Sequence, residues 1–414
     1  MLGRSELCNG TDTAGRRRDG EIVMSEGLRM VEPVIRSERV IQLLADLIGF
    51  QSVNPGGTEG DAAAYVAKVM RKAGCEVELQ EIEPGRPNVI ARLKGAGGGR
   101  TIILNTHMDV VPAGEGWSSD PFTLLRKGER VYGRGVMDAK GPLAAMMAAV
   151  EAIAASGAHL PGDIVLAAVV DEEAASLGAR NLPDNLHGDL AVIGEATAGN
   201  LAVAHRGSIR PVLAAEGVSA HSSTPHLGVN AVSLMVRTLM ALEDFAEQEL
   251  TKRLHPLTGQ STLSVTVING GIKESMIPDR CEALIDRRLI PGEAEEDALQ
   301  EIRQIIAGLP ALGGRVRIDR LVPTTGVASE TRPDHPMVEL AAAAIERVYG
   351  RRPELTGLTA NCDMTHFVKR GIPSVIYGPG DFSVAHTIGE WVTVSELENA
   401  SRVYASIAME VAGS

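Results

Sequence analysis

An α/β protein is the fold class that this sequence predicts: a central mixed, mostly parallel sheet with helices on both faces, carrying an inserted α+β sandwich domain. Three observations lead there. Strand-like apolar runs alternate with helical periodicities through the first half of the chain, the pattern of a sheet covered on both faces. Near residue 208 the texture changes to strand, helix, two strands, helix, strand, and after about 325 the α/β pattern returns. The length of 414 residues also exceeds what one ordinary hydrophobic core organises. The expected organisation is a polar, flexible extension over residues 1–32, a main domain assembled from 33–207 and 324–414, and an inserted domain over 208–323.

The elements follow in order. Residues 1–30 are polar, contain three arginines at 16–18 and two further methionines, Met24 and Met30, and read as an extension outside the fold or a mis-assigned start. Ser37 stands where it can cap a helix over RVIQLLADLIGF, and DAAAYVAKVMRKAG gives a second helix ending at Gly74. CEVELQEI, NVIARLKG and TIILNTH read as strands, with the glycine-rich stretch at 95–99 as a hairpin turn between the last two. GPLAAMMAAVEAIAASG is an apolar helix. DIVLAAVVDEE is so continuously apolar that it reads as a central strand buried on both faces, and DLAVIGEA repeats that arrangement before LAVAHRG. The inserted region contributes IRPVLAAEGVSA, a helix over 228–249, STLSVTVINGG, RCEALIDRRLI, a helix near 293–308 and RVRIDRL. A helix over 334–349, the strand IPSVIYGPG and a terminal helix from 395 complete the main domain.

Composition narrows the function. Hydrophobic residues make up 44% and charged residues 22%, as in a chain that buries a core. A formal net charge of -13 argues against nucleic acid or an anionic membrane as partner, since both need a basic surface. A small molecule is the expected partner, and the 3% aromatic content favours a polar one. The four cysteines (Cys8, Cys75, Cys281, Cys362) lack CxxC spacing and read as reduced thiols. No apolar h-region follows the early arginines and no run of about 18 apolar residues occurs, so a cytoplasmic protein is expected.

The chemistry sits where apolar strands end. His107 and Asp109 in NTHMDVV are two apart, so in a strand they share a face and Asp109 could fix the His107 tautomer for metal binding. Alone, this spacing also describes a surface histidine beside an acid. Asp138, in VYGRGVMDAKG, precedes a helix and could simply cap it. Asp171, Glu172 and Glu173 end a buried strand, where like charges repel unless a cation neutralises them. Glu195 ends the next strand in GEAT, and His386 lies in the late loop GPGDFSVAHTIGE. Together they offer two imidazoles, three carboxylates, a further carboxylate free to act as base, and no thiolate. Such N/O donors suit zinc, cobalt or manganese, and a carboxylate shared by two ions is the usual design for amide hydrolysis.

The ordered series THMDVVP, GRGVMDAKG, DEE, GEAT, GVSAHSSTP and GPGDFSVAHT resembles the M20 family of metallopeptidases and deacylases, in its acetylornithine deacetylase and succinyl-diaminopimelate desuccinylase branch, over roughly residues 35–412. The resemblance implies a metallo-aminopeptidase-like main domain and an inserted lid that mediates homodimerisation. It implies that His107, Asp138 and Glu195 bind one ion, that Asp138 bridges to a second held by Glu173 and His386, that Glu172 is the general base, and that Asp109 supports His107. It further implies a cis peptide between Asp138 and Ala139. His221 would reach the partner subunit's site to stabilise an oxyanion, its alternative being a loop histidine bonded to nearby hydroxyls. Arg288 in IDRRLIP would clamp the substrate carboxylate, with neighbouring Arg287 as the alternative. The chain departs from the pattern at Ser275, in SMIP, where many members have asparagine; serine lacks the amide's two donors, which puts substrate contacts there in question. TANCDMTHF departs too, although Asp363 remains, and this region is expected to shape the substrate pocket. The implied substrate is an N-acyl amino acid. A dipeptidase or glutamate-type carboxypeptidase of the same family, acting on a short peptide, is the alternative, and a metal-free binding protein on the same fold is a remote one.

Overall fold

A computed structural model describes residues 26–413. Its main body is a nine-stranded mixed sheet. At the centre, Ile102–His107 runs parallel to Ile164–Val169 on one side and to Leu190–Ile193 on the other, and Leu190–Ile193 runs parallel to Ser374–Ile376. Toward the edges antiparallel pairing enters: Arg86–Leu93 joins Ile164–Val169 and carries Glu76–Glu83 outside it, while Leu201–His205 is antiparallel to Ser374–Ile376 and Ser329–Glu330 and parallel to Leu355–Leu358. Ile102–His107 and Ile164–Val169 are buried along their whole length, as strands covered on both faces must be. One face is covered by the long helices Ser37–Ile48, Lys140–Ser156, Pro336–Tyr349 and Val394–Ala412, whose Val40, Leu43, Leu47, Leu143, Met147, Ile345, Leu397 and Tyr404 form the larger core. The other face has a smaller core, which includes Leu182, Met364 and Phe367 from the short elements after the acidic turn and around Asp363.

Three expectations are corrected here. Residues 95–99 do not close a hairpin between neighbouring strands, because Ile164–Val169 lies between Arg86–Leu93 and Ile102–His107. The hairpin instead joins Glu76–Glu83 to Arg86–Leu93. Ser37 does not cap the first long helix but is its first residue, the cap position being Arg36 without a side-chain bond. Finally, the extension expected over 1–32 stops short of residue 32: Glu26–Val31 is helical, and its Leu28 and Val31 are only 2% and 0% exposed. Residues 1–25, with the arginine run and Cys8, lie outside the described residues. Cys75, Cys281 and Cys362 are buried and unpaired. Among the described residues no helix is long and apolar enough to cross a membrane.

The insertion is a four-stranded antiparallel sheet in the order Thr262–Gly270, Arg280–Leu289, Gly207–Glu216, Val316–Val322. Helices Ala231–Gln248 and Glu295–Ala307 share a core with it through Leu234, Met235, Leu242, Ile285, Ile302 and Ile306. The chain enters directly from Leu201–His205 into Gly207–Glu216 and returns after Val322, and the two connections run side by side, the Ser208 N–H donating to the Gly326 carbonyl and the Thr324 hydroxyl to the Ser208 carbonyl.

Candidate active site and metal centre

The central strands deliver their functional residues to one end of the sheet, as parallel α/β sheets do. His107 is the last residue of its strand, and Glu172, Glu173 and Glu195 follow the ends of theirs. Asp138 precedes the helix Lys140–Ser156 but does not cap it; the cap position is Ala139, and the Asp138–Ala139 peptide is cis. The Asp138 loop is held from behind by buried Glu390. That carboxylate accepts the backbone N–H groups of Gly135, Met137 and Asp138 and pairs with Arg134 at 2.7 Å. His386 sits at the rim with a left-handed backbone (φ 59) and a half-exposed ring.

These residues converge. His107 Nε2 lies 3.3 Å from Asp138 Oδ1, 3.8 Å from Glu195 and 4.0 Å from Glu172. His386 Nε2 lies 3.2 Å from Asp138 Oδ2 and 3.1 Å from Glu173. Asp138 therefore turns one oxygen to each histidine. Two overlapping groups have the spacing of metal ligands, His107 with Asp138 and Glu173, and His107 with Glu172 and Glu195. The adjacent Glu172 and Glu173 face different halves of the cluster.

His107 tests whether a cation fits. Its Nδ1 lies 2.9 Å from the backbone carbonyl of Asp109, which can only accept, so Nδ1 carries the proton and Nε2 presents a lone pair. That Nε2 is buried and meets no hydrogen-bond donor. The expectation that Asp109's side chain orients His107 is thus modified: the carboxylate is 3.5 Å away, because the strand ends at His107 and the two residues do not continue a common pleat. The Asp109 carboxylate instead accepts the backbone N–H groups of Glu172 and Glu173, each at 3.1 Å, and the Asn54 amide at 2.8 Å.

Electrostatics agree with the donor chemistry. Burial and the charge of Asp138 push Glu173 up to about 7 and raise Glu195 well above the ordinary carboxylate range. Burial and the nearby carboxylates likewise raise Glu172 against the pull of His107. Burial would also raise Asp138, but the imidazoles of His107 and His386 beside it bring it below its usual value. Hydrogen bonds to Asp138 and Glu173 lift His386 to about 10. The carboxylates cannot all ionise side by side without a positive partner, and divalent cations supply one to every member at once.

The described chain places the remaining candidates differently. His221 is exposed, its Nδ1 bonded to the Ser223 hydroxyl at 2.7 Å, and it belongs to neither metal-ligand group. Ser275 is its neighbour: the Ser222 N–H donates to the Ser275 carbonyl, and His221 bridges to Met276. Arg288 is held by Asp286 at 2.7 Å and by Asn361 at 3.1 Å, so TANCD reaches the arginine expected at the substrate carboxylate. Arg287 is 1% exposed and tied to Ser261 and Glu293, which leaves it a structural role. Asp363 is buried beside the cluster and accepts from Ser176 at 2.7 Å; burial pushes it up to about 7.

The order of these motifs along the chain decides the family. A family model, peptidase family M20/M25/M40, matches residues 103–410. The chain belongs to this family. It is an M20 hydrolase, with carboxylates and histidines spaced as metal ligands in its site. Among its relatives is the acetylornithine deacetylase of Vibrio campbellii (strain ATCC BAA-1116), 31% identical over 86% of this chain and 93% of that one. Another is the N-formyl-4-amino-5-aminomethyl-2-methylpyrimidine deformylase of Bacillus subtilis (strain 168), 27% identical over 88% and 93%. A di-peptidase from Saccharomyces cerevisiae shares the fold, with a TM-score of 0.76 at 19% identity, covering 94% of this M20 chain and all of that one.

Several residues that build the site were not singled out in the sequence. Asn54 bridges Asp109 to Asp171, and Arg86 pairs with Asp171 at 3.0 Å and with Glu59 at 2.6 Å. Glu390 lay in plain view in HTIGE, four residues after His386, but carried no signal beyond an acid in a loop.

Proposed function

We propose that this chain removes the acyl group from an N-acyl amino acid, like the acetylornithine deacetylase and succinyl-diaminopimelate desuccinylase branch it resembles, with two divalent ions held in the cluster. The observation that carries the reading is Asp138, whose two oxygens face two separate histidines. His107, Asp138 and Glu195 would hold one ion; Asp138, Glu173 and His386 the other. Zinc suits these donors, with cobalt or manganese as alternatives. When bound, the ions supply Lewis acidity and lower the pKa of water. Glu172 takes the proton from the attacking water and returns it to the leaving amine. Distances from His107 alone do not rank Glu172 against Glu195; the resemblance assigns the base to Glu172, and Asp109 fixes the backbone of that glutamate pair. Arg288, about a quarter exposed, takes the substrate carboxylate with N–H groups not used by Asp286 and Asn361. Ser275 and His221 lie together on the inserted domain. The exposure of His221, with Ser275 half-buried beside it, supports a homodimer through that domain, in which His221 completes the partner's site.

The relatives at 27% and 31% identity act on N-acyl and N-formyl compounds by name, which favours deacylation over the dipeptidase reading, supported by fold alone. A panel of N-acetyl, N-succinyl and N-formyl amino acids set against dipeptides tests this. At least one N-acyl amino acid should exceed every dipeptide in kcat/KM by about tenfold or more, roughly 1.4 kcal/mol of transition-state discrimination. Better turnover of dipeptides would replace the reading with a peptidase.

A further inference from the structure

Two buried side chains that are not candidate metal ligands are bonded to each other where neither is expected to be. Ser176 stands at the N-cap position of the short helix Leu177–Arg180, and Asp363 at that of Met364–Val368. Serine and aspartate in such positions ordinarily accept a backbone N–H of their own helix, and neither does so here. The Ser176 hydroxyl donates instead to Asp363 Oδ1 at 2.7 Å, across 187 residues of chain, with the two residues at 0% and 1% exposure. The other Asp363 oxygen is buried and has no hydrogen-bond partner. A carboxylate buried with half of its acceptor capacity unused, within electrostatic reach of Glu172 and Glu195, is unfavourable, so packing gives no reason for it.

The reason lies in what Ser176 closes. Its N–H donates to the Asp171 carbonyl at 2.6 Å, which makes Asp171 and Ser176 the two ends of a turn with Glu172 and Glu173 between them. Both ends have left-handed backbones, φ 68 and φ 49, which residues other than glycine hold when surrounding bonds fix them. Asp171 is fixed by its own carboxylate, which is bonded to Asn54 and Arg86 and accepts the N–H groups of Ala175 and Leu177. For the Ser176 side chain the fixing bond is the one to Asp363.

We infer that Asp363 is a positioning residue: its Oδ1 holds Ser176 in the left-handed conformation and thereby sets where the Asp171–Ser176 turn presents Glu172 and Glu173. The inference rests on the proposed function, in which Glu172 is the base and Glu173 a metal ligand. The role belongs to the acceptor oxygen and not to the charge. Asn361, two residues earlier on the same loop, bonds Arg288 of the inserted domain instead and provides a contrast.

The test reads kcat and KM on the substrate that the wild type turns over fastest, together with zinc retention by the metal-loaded proteins against graded chelator. Asp363→Ala and Ser176→Ala should each lower kcat by about 10–100-fold with KM nearly unchanged, and release the ion served by Glu173 about tenfold more readily, as loss of an outer partner does. The double alanine variant should be no worse than either single one, because both remove the same bond. Asp363→Asn keeps an acceptor oxygen and should stay within about threefold of the wild type. Ser176→Gly, for which the left-handed backbone carries no penalty, should recover most of the kcat lost in Ser176→Ala. Asn361→Ala should raise KM and keep kcat within about threefold. Losses that add in the double variant, an Asp363→Asn as damaged as Asp363→Ala, or an equal kcat loss in Asn361→Ala would overturn the inference. Alanine variants that match the wild type would overturn it and leave the proposed function standing; a wild type that holds no divalent ion would overturn both.

Discussion

Replacing Glu172 and Glu173 separately by glutamine dissects the cluster, because the two adjacent residues face different halves of it. Glu172→Gln keeps size and shape, and the backbone bonds that fix the residue, N–H to Asp109 and carbonyl from Thr325, do not involve its side chain. The fold and the donor set of His107, Asp138, Glu173, Glu195 and His386 should survive. What is lost is the ability to accept a proton, which general-base catalysis values at about 10²–10⁴ in rate, or roughly 3–5 kcal/mol. Glu173→Gln removes a charge that lies 3.1 Å from His386 and serves the half of the cluster completed by Asp138. One of three protein donors to that ion is weakened, so affinity should fall at least as far as the 10–100-fold typical of losing an outer partner, about 1.4–2.7 kcal/mol. Metal content by plasma emission after exhaustive dialysis, with turnover measured on the same samples, reads both effects. Glu172→Gln should keep about two ions per chain and almost no turnover. Glu173→Gln should drop toward one ion and recover part of its turnover when metal is added in excess. Equal metal loss in both variants, or an active Glu172→Gln, would refute the division of roles.

Two other outcomes are expected, the first from the buried His205 and the second from the proposed homodimer. His205 is buried, its Nδ1–H donating to the Arg206 carbonyl at 2.7 Å, and burial lowers its pKa from 6.5 to about 4. The unfolded chain therefore takes up the proton first, and stability present above pH 6.5 is lost on acidification toward pH 4, by roughly 3 kcal/mol; denaturant melts of chelated wild type and His205→Leu should differ in pH slope over that window, and parallel slopes would contradict this. His221→Ala and Glu172→Ala should each be nearly inactive, yet exchanging their subunits should restore about a quarter of wild-type activity, since random pairing makes about half the dimers mixed with one intact site each; demonstrated heterodimers as inactive as the parents would return His221 to a loop role.

The legible part of the fold is the part written in local pattern. Ile164–Val169 is apolar at every position and proves to be a strand buried on both sides, and the insertion announces itself by a change of texture near Gly207. Strand order is not local. Nothing in residues 95–99 reveals that Ile164–Val169, some sixty residues later, slides between Arg86–Leu93 and Ile102–His107, and a glycine-rich link between two strands looks the same whether or not they are neighbours. The helical start at Glu26 escaped notice for a related reason: Leu28 and Val31 are too few apolar positions to make a periodicity, and only the surfaces of Lys140–Ser156 and Val394–Ala412 make burying them worthwhile.

The candidate site divides in the same way. Its ionisable residues were visible because charge at the end of an apolar strand has no purpose in packing, which is why His107, Glu172, Glu173 and Glu195 could be selected from sequence. The groups that aim them were not, because they act across long separations with unremarkable side chains. Asp109 shows how the two kinds of information mix. Its proximity to His107 in sequence is real, but the contact at 2.9 Å is made by its backbone carbonyl, while its carboxylate works on Glu172 and Glu173 more than sixty residues away. A substitution that keeps the backbone but removes the carboxylate therefore leaves the His107 tautomer in place and frees the turn carrying the glutamates. Residue spacing pointed to Asp109 as the neighbour of His107, and only the end of the strand at His107 explains why its side chain serves the opposite side of the cluster.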